Sequence, residues 1–235
     1  MANSRKPISL DTTLRNPSRI PQFISILSKF EGKKIDDQVA LELEGEIIRQ
    51  KIFEPTEGTL GTYKKEYNGK ISFKADDQSS LAKNKVSEYY KEWRKGGIGE
   101  VALGKIVYLL KNTITDHKEK GWNGGWESRV HTQFNFLNEL GLVRVVKGEK
   151  IKISNNGKLM ITEYENGYPK DENFDESYEQ SAFLIAFTKY QINNPYRNNT
   201  IKVNFFPLVL NVIKYLDTNY DRPGIAKQDL PFIIT

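Results

Sequence analysis

The chain has 235 residues, of which 38% are apolar and 11% aromatic. That is enough to bury a core and too apolar for a disordered polyelectrolyte. It has no cysteine, which excludes disulfides and thiolate metal sites. It also shows no signal-peptide core and no apolar run of membrane-span length, so the expected setting is a reducing cytoplasm. The formal charge of +5 is unevenly placed: residues 1–34 carry seven basic and two acidic side chains, and the rest sums to zero. Such a front suits a polyanionic partner.

Residues 1–15 read as a basic arm without periodicity, with Arg5, Lys6 and Arg15 as candidate phosphate contacts. Asn16-Pro17 offers a cap and an N1 proline. Ile20, Phe23, Ile24, Leu27 and Phe30 then recur at helical spacing up to Gly32, with Asn16 and Arg19 facing a possible nucleic acid. A second helix is expected from Asp36 or Asp37 to about Arg49, with Val39, Leu43 and Ile47 inward, and Pro55 closes the segment beyond it. Around Asn68-Gly69 two short basic and aromatic strands predict a hairpin over 62–74, in which Lys64 and Lys65 are candidate DNA contacts. Lysines on a solvated edge explain them equally well.

Asp76-Asp77 should cap a third helix with Val86, Tyr89, Tyr90 and Trp93 inward, broken at Gly96-Gly97. Ile98 to Lys111 reads as a more apolar helix lying beneath the next one. The connection from Asn112 to Gly125, which holds Asn123, is long for a tight turn.

From Trp126 to Tyr164 the pattern is a helix, a hairpin and a closing apolar turn. Val130, Phe134, Leu137 and Leu140 form one buried stripe, and Gly141 stands where a helix C-cap glycine belongs. Residues 142–147 and 151–154 are short β-branched runs around Gly148-Glu149-Lys150, so they should pair. Asn155-Asn156-Gly157 should stop the second strand. A helix leading into a basic hairpin is the winged-helix arrangement.

An acidic segment, 165–180, reads as a linker. It is succeeded by a second helical unit over 181–235, including Phe205-Phe206-Pro207 opening a helix and a further helix from about Ile225. The expected fold class is therefore mainly α with small β-hairpin wings, as tandem winged-helix (helix-turn-helix) subdomains. The first covers 16–164, and the second, over 181–235, lacks its wing, as in a truncated copy.

The sequence argues against catalysis within these residues. A magnesium nuclease of the PD-(D/E)xK type needs clustered carboxylates with a lysine two positions past one of them on a buried strand. Only Glu31-Gly32-Lys33 and Asp116-His117-Lys118 have that spacing, and neither lies on an apolar strand. Two histidines, His117 and His131, are too few for multi-histidine metal sites, and no phosphate-loop or dinucleotide fingerprint occurs. No metal ligand or catalytic residue is assigned.

Base readout is the better prospect. With Val130, Phe134 and Leu137 inward, the opposite helix face carries Ser128, Thr132, Asn135 and Glu139, flanked by Arg129 and His131. Asn135 suits adenine, Arg129 guanine, and Thr132 a thymine methyl or a phosphate. Arg144, Lys147, Lys150 and Lys152 on the wing would take phosphates. Trp122 and Trp126 are expected to pack. The plain alternative is a solvated helix face.

Several stretches resemble AlwI-type restriction endonucleases, a type IIS family that includes site-specific nicking enzymes. They are Arg15-Asn16-Pro17-Ser18-Arg19-Ile20-Pro21-Gln22-Phe23, Phe30-Glu31-Gly32, and the Leu137-Asn138-Glu139-Leu140-Gly141-Leu142-Val143 junction with Ile153 and Gly157. The resemblance is to the N-terminal part of these prokaryotic enzymes. It implies two winged-helix subdomains that bind double-stranded DNA at a short asymmetric site as a monomer. It also implies a separate cleavage domain using Mg2+, to which no residue of this chain corresponds. The alternative reading is a winged-helix transcription regulator, which would be expected to dimerise on a palindrome.

Overall fold

A computed structural model describes residues 19–55, 80–113, 115, 117, 119, 121–122, 125–166, 178–188, 204–222 and 224–226. Among these residues the protein is mainly helical, with eight helices and one two-stranded antiparallel sheet. The described residues fall into two compact units. One is Asn16–Asn135 with Val145–Lys152; the other is Phe136–Arg144 with Ile153–Thr235.

In the first unit, α1 (Ile20–Ser28) buries Ile20, Phe23, Ile24 and Leu27, the stripe expected from the spacing. Helix α2 (Asp37–Arg49) starts where a carboxylate can cap it: Asp36 accepts the Val39 N–H at 2.8 Å. Its burial is not one stripe, because Leu41, Leu43, Glu44, Glu46, Ile47 and Ile48 are all covered. Helix α3 (Ser80–Lys95) buries Val86, Tyr90 and Trp93, and the Trp93 indole N–H reaches the Ile48 carbonyl at 3.0 Å.

Helix α4 is Leu103–Lys111, five residues shorter at its start than the sequence predicts. Ile98 is 71% exposed and Gly99 turns at φ +74°. The Gly97 N–H is taken by the Glu100 carboxylate at 2.6 Å, so a side-chain turn replaces the first helical turn. Leu41, Ile48, Val86, Tyr90, Trp93, Val101, Ile106, Leu109, Leu110 and Trp126 form one core. The last of these residues opens α5 (Trp126–Glu139).

In the second unit α5 ends in a Schellman motif. The Leu142 N–H donates to the Leu137 carbonyl at 3.0 Å and the Gly141 N–H to Asn138 at 3.1 Å, with Gly141 at φ +70°. Leu137 and Leu142 are both fully buried, the apolar contact that goes with this cap. Strands β1 (Val143–Arg144) and β2 (Lys152–Ile153) pair as expected, though each is two residues long.

Asn155-Asn156-Gly157 does more than stop β2, because it begins α6 (Asn155–Asn166). Ser154 is the cap. Its Oγ accepts the Gly157 N–H at 3.0 Å, while its own N–H and hydroxyl both donate to the Leu142 carbonyl. Helix α6 packs on α7 (Tyr178–Thr188), and the Asn156 amide donates to the Ala182 carbonyl at 2.9 Å. Most of the acidic 165–180 segment, expected as a linker, lies outside the described residues.

Helix α8 (Phe205–Tyr220) opens at Phe205 as the sequence suggests. Phe187 of α7 stacks on Phe206 at 6.1 Å. Ile225 and Ala226 are not helical, and the rest of the helix expected there lies outside the described residues, as do the arm and the 62–74 hairpin.

Candidate nucleic-acid interface

The polar face of α5 is not a solvated surface. None of its fourteen residues is exposed. Ser128 is fully buried and its hydroxyl donates to the carbonyls of Gly125 at 2.8 Å and His117 at 3.0 Å. The Ser128 hydroxyl, expected as a base contact, is engaged by backbone and supports the preceding loop. Thr132 donates to Glu119 Oε1 at 2.8 Å and lies 2.8 Å from His117 Nε2, which accordingly carries its proton toward the threonine oxygen. His117 and Glu119 of the long connection thus occupy the polar groups of this helix face. Glu139 is buried as well.

Arg129 is turned inward. Its guanidinium lies over the Phe53 ring at 4.7 Å and the Trp126 ring at 5.5 Å, and its Nε is buried without a partner among the described residues. It faces Glu44 of α2, which is fully buried. Burial pushes Glu44 up to about 7, with the Arg129 charge and then the Gln133 side chain pulling the other way, and burial likewise lowers Arg129. His117 is held below its ordinary value, first by burial and then by the Arg129 charge.

A guanine contact by Arg129 would need this side chain withdrawn from its aromatic seat, leaving Glu44 without a counter-charge. Arg129 is thus half-buried and engaged by its aromatic seat and by Glu44. Arg129→Ala is expected to destabilise the chain more at pH 8, where Glu44 is ionised, than at pH 5. Urea midpoints at the two values check this, and equal losses would sink it. His131 and Asn135 are half-buried. Trp122 and Trp126 pack, as expected; the Trp126 N–H donates to Thr113 Oγ1 at 3.0 Å.

The basic residues of the hairpin separate into two sets. Arg144 is half-buried, and Lys147 pairs with Asp37 at 2.5 Å while lying 4.9 Å from the Trp122 ring centroid, so its charge is already engaged. Lys150 and Lys152 are exposed. Arg19 is exposed but donates to the Ile52 carbonyl at 3.1 Å, anchoring the start of α1 to the end of α2. Arg5, Lys6, Arg15, Asn16, Lys64, Lys65 and Asn123 lie outside the described residues.

Sequence reasoning missed two side chains beside the hairpin, Lys33 and Lys34. They lie on an extended segment that bridges to Lys150. The signal present in the sequence is a Lys-Lys pair between a glycine and a buried isoleucine.

Among the described residues no three acidic or histidine groups gather to hold a metal ion. The Mg2+ that the resemblance implies finds no ligand set there. Glu31 and Lys33 of the first acid-x-lysine triplet flank the turn at Gly32, which has φ +84°. Asp116 and Lys118 of the second lie outside the described residues. No helix among the described residues is long and apolar enough to cross a membrane.

Residues 138–235 match the family model described as AlwI restriction endonuclease. The match covers the Asn138–Val143 junction, Ile153 and Gly157. Arg15 to Phe23 and Phe30 to Gly32 fall outside it, and it gives no support to an N-terminal place in the family's proteins. No curated protein and no solved structure matches the chain.

Proposed function

We propose, from a chain whose residues 138–235 match the AlwI restriction endonuclease family model, that it binds double-stranded DNA as the recognition portion of a type IIS restriction or nicking endonuclease. Cleavage would be supplied by a separate magnesium-dependent domain. The single observation that carries this reading is that the family match includes the basic hairpin, whose Lys150 and Lys152 are exposed. A restriction enzyme must hold a duplex, and lysines on a hairpin do so through phosphates, whose contacts set register without reading sequence.

In this reading α5, β1, β2 and α6 act as a winged-helix-like unit in which α5 is the supporting helix and not the reading one. Its hydroxyls and its arginine are engaged internally. Base contacts then fall to other segments of the chain, and the site is short, asymmetric and bound by one copy.

Selection from a pool of random duplexes, with sequencing of the retained molecules, tests this. An asymmetric core of a few base pairs is expected. A two-fold site would favour a dimeric regulator, and no retention at low salt would remove the DNA reading altogether. Incubation of the purified chain with duplex and magnesium should leave the duplex intact. Cutting that co-purifies with the chain would show that it holds an active site of its own.

A further inference from the structure

We infer that residues 32–35 form a third strand-like edge on the hairpin, and that Lys34, Lys150 and Lys152 make one phosphate-binding face for duplex DNA. This rests on the DNA reading above and adds to it a residue, Lys34, and a geometry.

The pairing is defined by four backbone bonds. Ile151 N–H donates to the Lys33 carbonyl at 2.9 Å and Ile35 N–H to Glu149 at 2.9 Å. Gly32 N–H reaches Ile151 and Gly148 N–H reaches Ile35, at 2.9 and 2.8 Å. The first two bonds bracket the Lys34–Lys150 bridge, so the two lysines form the narrow, non-hydrogen-bonded kind of antiparallel pair, whose side chains stand closest together. Lys152 is two residues on from Lys150 and shares its side of the strand. The alternate positions, Ile35 and Ile151, are buried, which directs the lysines outward.

Like charges placed directly opposite each other weaken a sheet pair. Three other lysines of this unit are matched by carboxylates, Lys29 with Glu46, Lys105 with Glu92 and Lys147 with Asp37, whereas the directly opposed pair Lys34 and Lys150 faces only like charge. Lys34, Lys150 and Lys152 have no carboxylate partner among the described residues. A polyanion laid across this face would relieve the repulsion and release counterions, one for each phosphate neutralised. The two strands are brought together from positions more than a hundred residues apart, so the face exists only in the folded chain.

The test is anisotropy of a labelled duplex with the full chain, from about 50 to 200 mM salt. The variants are Lys34→Gln, Lys150→Gln and Lys152→Gln, singly and together, with Lys91→Gln, an exposed lysine of α3, as the control. Each substitution should reduce the slope of log K against log salt by about one unit, equally on selected and unrelated duplexes. The triple variant should lose about three, and Lys91→Gln should change nothing.

Melting temperature should stay level or rise for Lys34→Gln, because a repulsion has been removed. If the chain binds duplex but Lys34→Gln keeps the wild-type slope, the three-lysine face is wrong and the DNA reading stands. Weaker binding accompanied by a lower melting temperature would also overturn the face. Failure of the unsubstituted chain to bind any duplex would overturn both.

Discussion

Gly157→Ala is expected to cost about 3 kcal/mol of stability, at the upper end of what overpacking a tight contact does. A Cβ at this position would press into the Leu142 carbonyl oxygen and come within 2.9 Å of Ile153 Cγ2. The carbonyl has no freedom to withdraw, because it accepts both the Ser154 N–H at 2.9 Å and the Ser154 hydroxyl at 3.0 Å. Alanine has the better helix propensity, by up to about 1 kcal/mol, but the steric term is larger and decides the sign.

Gly104 supplies the contrast. It lies in the first turn of α4 with nothing within 4 Å of its built Cβ, so Gly104→Ala should be neutral or mildly stabilising. Urea denaturation of the two variants distinguishes the cases, and a Gly157→Ala protein as stable as its parent would show that α6 does not need this approach to the Leu142 carbonyl. Because Gly157 lies inside the family match, the same variant also shows whether the Ser154 cap and the hairpin stand or fall together.

The second large effect is on pH dependence. Glu44 is held at about 7 in the folded chain against an ordinary 4.5, so between those values the folded state binds more protons than the unfolded one. Stability therefore falls as pH rises through that window and levels off above about pH 7. The full loss is about 3 kcal/mol at 1.36 kcal/mol per unit. Glu44→Gln should remove this slope, so that the variant gains on its parent as pH rises from 5 to 8.

Glu46 does not interfere. Burial alone would raise it, but hydrogen bonds from Arg49, Lys29 and Gln50 outweigh that and hold it at about 2. Its stabilisation is present above 4.5 and is lost only as pH falls toward 2. His117 acts in the opposite sense to Glu44 near neutrality: held below 6.5, it adds stability as pH rises toward that value. The difference between parent and Glu44→Gln cancels both. If that difference were constant from pH 5 to 8, the carboxyl would not be titrating in a buried place, and the seat of Glu44 against Arg129 would have to be reconsidered.

These two sites show how the candidate interface differs from its reading in sequence. The stripe Val130, Phe134 and Leu137 is legible because a 3.6-residue period names one apolar face, and all three side chains are fully buried. The same period labels the other face polar, which makes Ser128, Arg129 and Thr132 look free for bases. A polar face is free only if nothing else covers it. Here α2 brings Glu44 to Arg129 and the 113–125 loop brings His117 and Glu119 to Ser128 and Thr132, contacts that spacing along one helix does not encode.

Local chemistry was sufficient where a feature is completed within a few residues. Asp36 capping α2, Gly141 closing α5, the turn at Gly148 and the opening of α8 at Phe205 each arise from side chains adjacent to the backbone they satisfy. Tertiary structure alone decided the rest. It set the burial of Glu44, the need for glycine at 157 and the pairing of Lys34 with Lys150. Each depends on a partner distant in the chain, whose approach is set by how the whole core packs rather than by the order of residues around it.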